Sequence, residues 1–307
     1  MPNKENIESF LKAESLEVEQ NYDLSYHTTI KTGGNADYYF SPKDLPSLKK
    51  LFQFLCSNKI PYKIIGNGSN LLISDRGVRG FVISPENLPR KINVGSNYIH
   101  VSTNFSNDKF LNFCKKNGVG GLEFLSGIPG TVGGLIAMNA GAFGSTIADF
   151  LFDVNVLDAQ GKMQNLQKSQ LKFDYRNIEL NMSDYFFTSA RLTYDKSDSE
   201  KTTKRCDQFL KRRTTLHLNN YPTFGSVFKN GSDYYAGRIL DQCGLKGASV
   251  GAATIAEDHA NFIINKGDAT SADVYKLIKL AQKKAKEKFD IHLQPEVKLW
   301  GDFSYVK

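Results

Sequence analysis

Residues 127–145 read GIPGTVGGLIAMNAGAFGS, a run with six glycines and no charged side chain. Side chains this small cannot fold the segment by packing among themselves, so its backbone must run close to something else, either another stretch of chain or a ligand. Glycine permits positive φ and brings backbone N–H groups within reach of a bound molecule, and successive N–H groups in such turns form concave anion sites. A second glycine-bearing loop, IIGNGSNLLISD at 64–75, follows a strand-like stretch. Both loops are compatible with plain tight turns and with a phosphate cradle. Neither is a known nucleotide fingerprint: 66–71 lacks the third glycine of G-x-G-x-x-G and runs into the strand-like Leu71-Leu72-Ile73, and no G-x-x-x-x-G-K-[ST] occurs.

At 307 residues the chain suits two domains, or one domain with an appended lobe. With 40% hydrophobic and 23% charged residues it reads as globular, not disordered or fibrous. No apolar run spans a bilayer and MPNKENIESFLKAES has no signal-peptide core, so a cytoplasmic protein with no membrane insertion is expected. Cys56, Cys114, Cys206 and Cys243 are scattered without metal-ligand spacing, so no metal is expected and reduced, buried, small apolar residues are. The net charge of +7 suits nucleic acid or a polyanionic small molecule, and its sign alone does not choose.

Leu48, Leu51, Phe52 and Leu55 share one helical face, followed by a strand. Ser106 is a candidate cap for a helix ending at Asn117-Gly118, 154–166 reads as a hairpin turning at Gln160-Gly161, and 184–194 as a strand. The polar run 195–205 is the expected domain boundary, dividing the chain into 1–198, itself two α+β lobes divided near 66–80, and 199–307. In the second part a helix is predicted with Ser271 as cap and Val274, Leu277, Ile278, Ala281 and Ala285 inward. Its lysines, at 276, 279, 283, 284, 286 and 288, read as a solvated face; without interleaved aromatics, nucleic acid is the lesser reading. The segment 290–300 alternates, with Ile291, Leu293, Val297 and Leu299 on one side and His292, Gln294, Glu296 and Lys298 on the other.

The ordered set HTTIKTGG (27–34), IGNGSNLLISDRGVRG (65–80), GLEFLSGIPGTVGGLIAMNAGAFG (121–144), FDYR (173–176), FGSVFKN (224–230), DQCGLKG (241–247), HANFIIN (259–265) and QPEVKLW (294–300) closely resembles the UDP-N-acetylenolpyruvoylglucosamine reductases. The resemblance runs from about residue 21 to 301. It implies an α+β fold, with a FAD-binding domain of the vanillyl-alcohol-oxidase type followed by a smaller α+β substrate-binding domain. The implied reaction is NADPH-dependent reduction of UDP-N-acetylglucosamine enolpyruvate to UDP-N-acetylmuramate, a peptidoglycan precursor, through non-covalent FAD. Hydride passes from flavin N5 to C3 and a proton reaches C2; no nucleic-acid partner is implied, and a monomer is expected.

By the same resemblance, two stretches line the flavin. One comprises Ile65, Gly66, Asn67, Gly68, Ser69 and Asn70. The other comprises Gly127, Ile128, Pro129, Gly130 and Thr131, then Gly133 and Gly134, and finally Asn139, Ala140 and Gly141. Ser226 matches the proton donor, Arg176 the arginine that holds the substrate carboxylate and developing enolate, and Glu296 the catalytic glutamate. Lys229, Asn230 and His259 match substrate-side positions. A planar guanidinium donates two parallel hydrogen bonds to a carboxylate, which suits Arg176 to that role.

The chain departs from the family where Gly231 replaces the usual proline after FKN and where TLHLNNYPT precedes Phe224. It also lacks an added segment after Arg176 for a lid tyrosine, as in the shorter subgroup. Two alternatives stand beside this reading: a FAD oxidase of the same superfamily, which usually carries a tethering His or Cys absent from 127–144, and a basic nucleic-acid binder resting on charge alone.

Overall fold

The computed structural model describes residues 4–180, 184–214 and 221–306. The fold is α+β, as expected, in two compact units. Unit 1 comprises Met1–Glu19, Tyr39–Asn67 and Phe81–Thr215; unit 2 comprises Gln20–Tyr38, Gly68–Gly80 and Leu216–Lys307. These differ from the contiguous blocks 1–198 and 199–307. The polar run 195–205 is no connector: Asp195–Lys196 pairs with Val119–Gly120, and the helix Ser199–Thr214 begins within the run and buries Thr202 and Cys206. Its inward residues are too polar for the periodicity to show in the sequence.

Unit 1 is built on an antiparallel sheet in which Leu151–Asp158 lies between Met163–Gln167 and Tyr185–Thr193, followed by Tyr98–Ser102 and Ile92–Val94. The predicted hairpin is present. Asp158 Oδ1 accepts the N–H groups of Gln160 and Lys162 at 3.0 and 2.8 Å, and Gly161 takes φ +71°, the left-handed geometry that glycine reaches without a Cβ clash. Ile99, Val101, Val154, Val156, Ala190 and Leu192 alternate inward from the strands and meet Phe110, Leu111 and Cys114 of the helix Asn107–Lys116. Ser106 is its N-cap, though without a side-chain bond. The helix Leu45–Ser57 buries the four predicted residues and is capped by Asp44, which accepts the Ser47 N–H at 2.7 Å. Cys114 and Cys206 are buried and Cys56 and Cys243 half-buried, all as free thiols.

Unit 2 packs a sheet ordered Thr223–Ser226, Phe262–Asn265, Ala253–Ile255, Ser249–Val250 under the helix Ser271–Phe289. Val274, Leu277, Ile278, Ala281 and Ala285 face inward as predicted, and the lysines of the opposite face are exposed. The cap is Thr270 rather than Ser271: Thr270 Oγ1 accepts the Asp273 N–H while the Asp273 carboxylate accepts the Thr270 N–H, a capping box. Ser271 Oγ instead bonds Thr32 Oγ1 at 2.8 Å. The alternating segment forms a strand only at Lys298–Trp300, parallel to Leu71–Ile73; before it, Pro295 makes a single antiparallel bridge with Phe228. Leu293 and Val297 are buried, but Leu299 is exposed. No helix among the described residues is long and apolar enough to cross a membrane.

Asp75 ties the second glycine loop's strand to this helix. Its carboxylate accepts the N–H groups of Ser271 and Ala272 at 2.7 and 2.9 Å and the Tyr305 hydroxyl at 2.9 Å. It thereby satisfies two otherwise orphaned N–H donors and places negative charge at the positive end of the helix. Asp75→Ala is expected to lower unfolding free energy by roughly 2 kcal/mol; equilibrium urea unfolding checks this, and an unchanged midpoint would remove Asp75 from the fold's supports.

Candidate functional site

In unit 1 the two glycine loops meet. An ideal Cβ on Gly66 would stand 2.7 Å from Thr131 Oγ1, and that oxygen accepts the Gly134 N–H at 3.2 Å to cap the helix Val132–Ala137. A Cβ on Gly133 would stand 3.0 Å from Thr103 Cβ, and the Thr103 carbonyl accepts the Gly133 N–H at 2.8 Å. The neighbouring N–H groups of Gly66, Asn67, Gly127 and Gly130 donate to no backbone acceptor among the described residues. Ile65 is buried and its N–H bonds Ile83 O. Ile128 and Pro129 complete the turn, where Ile128 N–H bonds Leu125 O. The arrangement fits FAD: close loop packing leaves four neighbouring backbone N–H groups without a backbone acceptor, the donor set that a phosphate-bearing cofactor takes.

Asn139 and Ala140 play a different part. Asn139 is buried; its Oδ1 accepts the Ala148 N–H and its Nδ2 donates to Asp174 O at 3.0 Å. It therefore anchors the hairpin Lys172–Asp174/Asn177–Glu179, whose two-residue turn is Tyr175-Arg176. Arg176 holds φ +55°, unfavourable for a residue with a side chain by about 1 kcal/mol, and Nη2 donates to Gly141 O at 2.8 Å. The turn delivers the guanidinium to the end of the glycine-rich segment. Such strain survives where surrounding contacts over-determine it, as at functional sites.

Unit 2 contains the rest of the second glycine loop, from Gly68 onward. Gly68 has φ +59°, and a Cβ there would fall 1.8 Å from His27 O, so no other residue fits. Ser69 lies in this turn, and Asn70 Nδ2 donates to Glu296 O at 3.0 Å. Glu296 N–H donates to Val227 O at 2.8 Å and Lys229 N–H to Gln294 O at 2.9 Å, so Ser226, Lys229 and Glu296 occupy two adjoining segments. Ser226 follows Gly225, whose φ of +83° makes a bulge between Thr223 and Ser226. A bulge re-aims the side chain that follows it, and Ser226 stays part-exposed.

Asn230 and His259 are engaged locally. Asn230 Oδ1 accepts the Ala236 N–H at the start of the helix Ala236–Gln242, and its position is exposed. His259 Nδ1 accepts the Asn261 N–H at 3.1 Å, which leaves Nε2 as donor in the neutral ring. Burial against Gly237 pushes its pKa down. Two residues escape sequence reasoning. Asn261 exchanges bonds with Phe228 N–H and O, both at 2.9 Å, fixing the segment between Ser226 and Lys229; its only sequence signal is its place in HANFIIN. Arg213 covers Gly127 and carried no motif. Of TLHLNNYPT, at 215–223, residues 215–220 lie outside the described residues.

Comparison with known proteins matches two family models to successive parts of the chain. A family model described as a FAD binding domain matches residues 36–167, and one described as the UDP-N-acetylenolpyruvoylglucosamine reductase C-terminal domain matches 217–300. The UDP-N-acetylenolpyruvoylglucosamine reductase of Caldanaerobacter subterraneus is 39% identical over 92% of this chain and 93% of its own, and that of Clostridium novyi 36% over 97% and 96%. The solved UDP-N-acetylenolpyruvylglucosamine reductase of Thermus caldophilus superposes with a TM-score of 0.79 at 30% identity, over 93% of this chain and 99% of its own. With a FAD-binding domain, a matching C-terminal domain and relatives alike over nearly their whole length, the chain belongs to the UDP-N-acetylenolpyruvoylglucosamine reductase family of FAD-dependent oxidoreductases.

Proposed function

We propose that this chain uses NADPH to reduce UDP-N-acetylglucosamine enolpyruvate to UDP-N-acetylmuramate, with Ser226, Arg176 and Glu296 as the residues that act on substrate. Bound FAD supplies a two-electron hydride carrier between the nicotinamide and the enolpyruvyl ether. Residues 65–70 and 127–141 hold it through backbone donors and close approach. Hydride arriving at C3 drives negative charge onto C2 and the carboxylate. Arg176 stabilises that charge, its guanidinium held in place before reaction by Gly141 O. Ser226 gives its proton to C2 and regains one from the Lys229 ammonium or from water. Glu296 shapes the field around C2, while Lys229, Asn230 and His259 bind the polar parts of the substrate.

The observation that carries this reading is the Gly225 bulge, which shifts the register between the Thr223–Ile264 and Ser226–Phe262 pairs and re-aims the Ser226 side chain, one residue before Val227, the acceptor of the Glu296 N–H. Anaerobic stopped-flow tests the reaction directly. NADPH is expected to bleach the flavin and the enolpyruvyl substrate to restore it without oxygen; a flavin that stays reduced until air enters would transfer the chain to the oxidase alternative.

Two substitutions separate the roles. Ser226→Ala is expected to leave reduction by NADPH intact and slow reoxidation by substrate roughly 10²–10⁴-fold; equal slowing of both half-reactions would remove Ser226 as proton donor. Arg176→Lys is expected to retain FAD and slow substrate-driven reoxidation at least tenfold, as a point charge replaces a bidentate donor. Loss of FAD instead, measured from the absorbance ratio of purified protein, would assign Arg176 to the cofactor.

A further inference from the structure

Arg213, near the end of the helix Ser199–Thr214, lies against the glycine-rich segment. A Cβ on Gly127 would stand 2.8 Å from its Cδ and 3.5 Å from its Nε, so the arginine stem occupies the space that glycine leaves. Its guanidinium carbon is 5.9 Å from the centre of the Phe143 ring, and Phe143 packs at 4.8 Å on Phe209 of the same helix. Phe143 sits at the tip of the hairpin Gly141–Ala142/Ser145–Thr146, with φ +55°. Arg176 binds that hairpin at Gly141 O, two residues away. One short hairpin thus holds two guanidinium groups.

Arg213 is poorly satisfied for a cation in such a place. Its Nε is buried and has no hydrogen-bond partner, and no carboxylate pairs with Arg213 among the described residues. Burial, and then the nearby charge of Arg176, push its pKa down. Arginine nevertheless stays protonated in proteins. A desolvated cation beside a like charge is unfavourable unless an anion completes the arrangement. Stem packing on Gly127 and the ring of Phe143 explain where the side chain lies, but neither supplies an acceptor for Nε.

We propose that Arg213 and Arg176 form a paired-guanidinium site for one planar, two-acceptor anion, and that this anion is the carboxylate of the enolpyruvyl substrate. The inference rests on Arg176 as the carboxylate binder and adds a second residue to that recognition. Two guanidinium groups would spread the charge that grows on the carboxylate as hydride arrives, and would select carboxylate-bearing nucleotide sugars over those without one. The N1–C2–O edge of the reduced flavin has the same acceptor chemistry, so the test separates the two sources.

The test measures equilibrium binding by perturbation of the flavin spectrum, without turnover. UDP-N-acetylmuramate and UDP-N-acetylglucosamine, which lacks the carboxylate, are titrated into wild type, Arg213→Gln, Arg213→Lys and Arg176→Lys, and the flavin midpoint potential is recorded for each. Arg213→Gln is expected to weaken UDP-N-acetylmuramate roughly 10- to 100-fold, the loss of a charge-assisted bond, with UDP-N-acetylglucosamine changed less than twofold and the potential unmoved. Arg213→Lys should recover part of the loss, which also guards against a folding defect in the glutamine variant. A lowered potential with unchanged UDP-N-acetylmuramate binding would overturn the proposal in favour of the flavin edge. Equal weakening of both ligands, or of neither, would overturn it in favour of a packing role. If Arg213→Gln behaves as expected while Arg176→Lys binds both ligands normally, the pairing fails through Arg176; the converse pattern leaves Arg176 in place and removes Arg213 alone.

Discussion

The contact between Gly66 and Thr131 is the constraint on which the cofactor half of this protein depends. Without a Cβ at 66, the backbone of one glycine loop reaches the hydroxyl that caps the helix of the other, and two segments 65 residues apart in sequence meet. Bulkier side chains would separate the loops and bury the N–H groups of Gly66, Asn67, Gly127 and Gly130 behind Cβ atoms. Buried donors need acceptors. On the proposed reading, the bare charge-free run offers these backbone donors to FAD.

The two residues proposed to act on substrate sit at local departures from regular structure. Arg176 occupies a left-handed turn, Ser226 follows a bulge, and both positions are fixed by bonds from neighbouring backbone and amides, through Asn139 for the first and Asn261 for the second. Each buried asparagine satisfies donors and acceptors of a segment distant in sequence, so the irregular backbone is held without a hydrophobic face of its own. Such polar anchors are rigid when fully satisfied and costly when not. The long helix of unit 2 shows the same device, with Asp75 capping it from 196 residues away.

How much of this the sequence shows depends on whether the signal is local. The helical faces at Leu48, Leu51, Phe52 and Leu55 and at Val274, Leu277, Ile278, Ala281 and Ala285 were readable because core residues recur at helical spacing. The turn at Gly161 was readable because Asp158 and Gly161 carry their own geometry. The helix Ser199–Thr214 is hidden because it buries Thr202 and Cys206 where the pattern asks for leucine, and the 290–300 alternation holds at Leu293 and Val297 but fails at Leu299, which is exposed. Thr270 and Ser271 are chemically equal as caps; only Asp273, three residues after Thr270, distinguishes them. At the site, Ser226, Arg176 and Glu296 were visible through family resemblance alone. Asn261 and Arg213 act through partners that only the folded chain supplies.

The most direct test of the account is the affinity of apoprotein for FAD in Gly66→Ala against wild type, measured by fluorescence titration with circular dichroism to verify the fold. The added Cβ must displace Thr131 Oγ1 and part the two loops. The account predicts weaker FAD binding by at least about tenfold, equivalent to ~1.4 kcal/mol, with secondary structure unchanged. Wild-type affinity in the folded variant would mean that the bare backbone is a folding requirement only, and that the cofactor is held elsewhere.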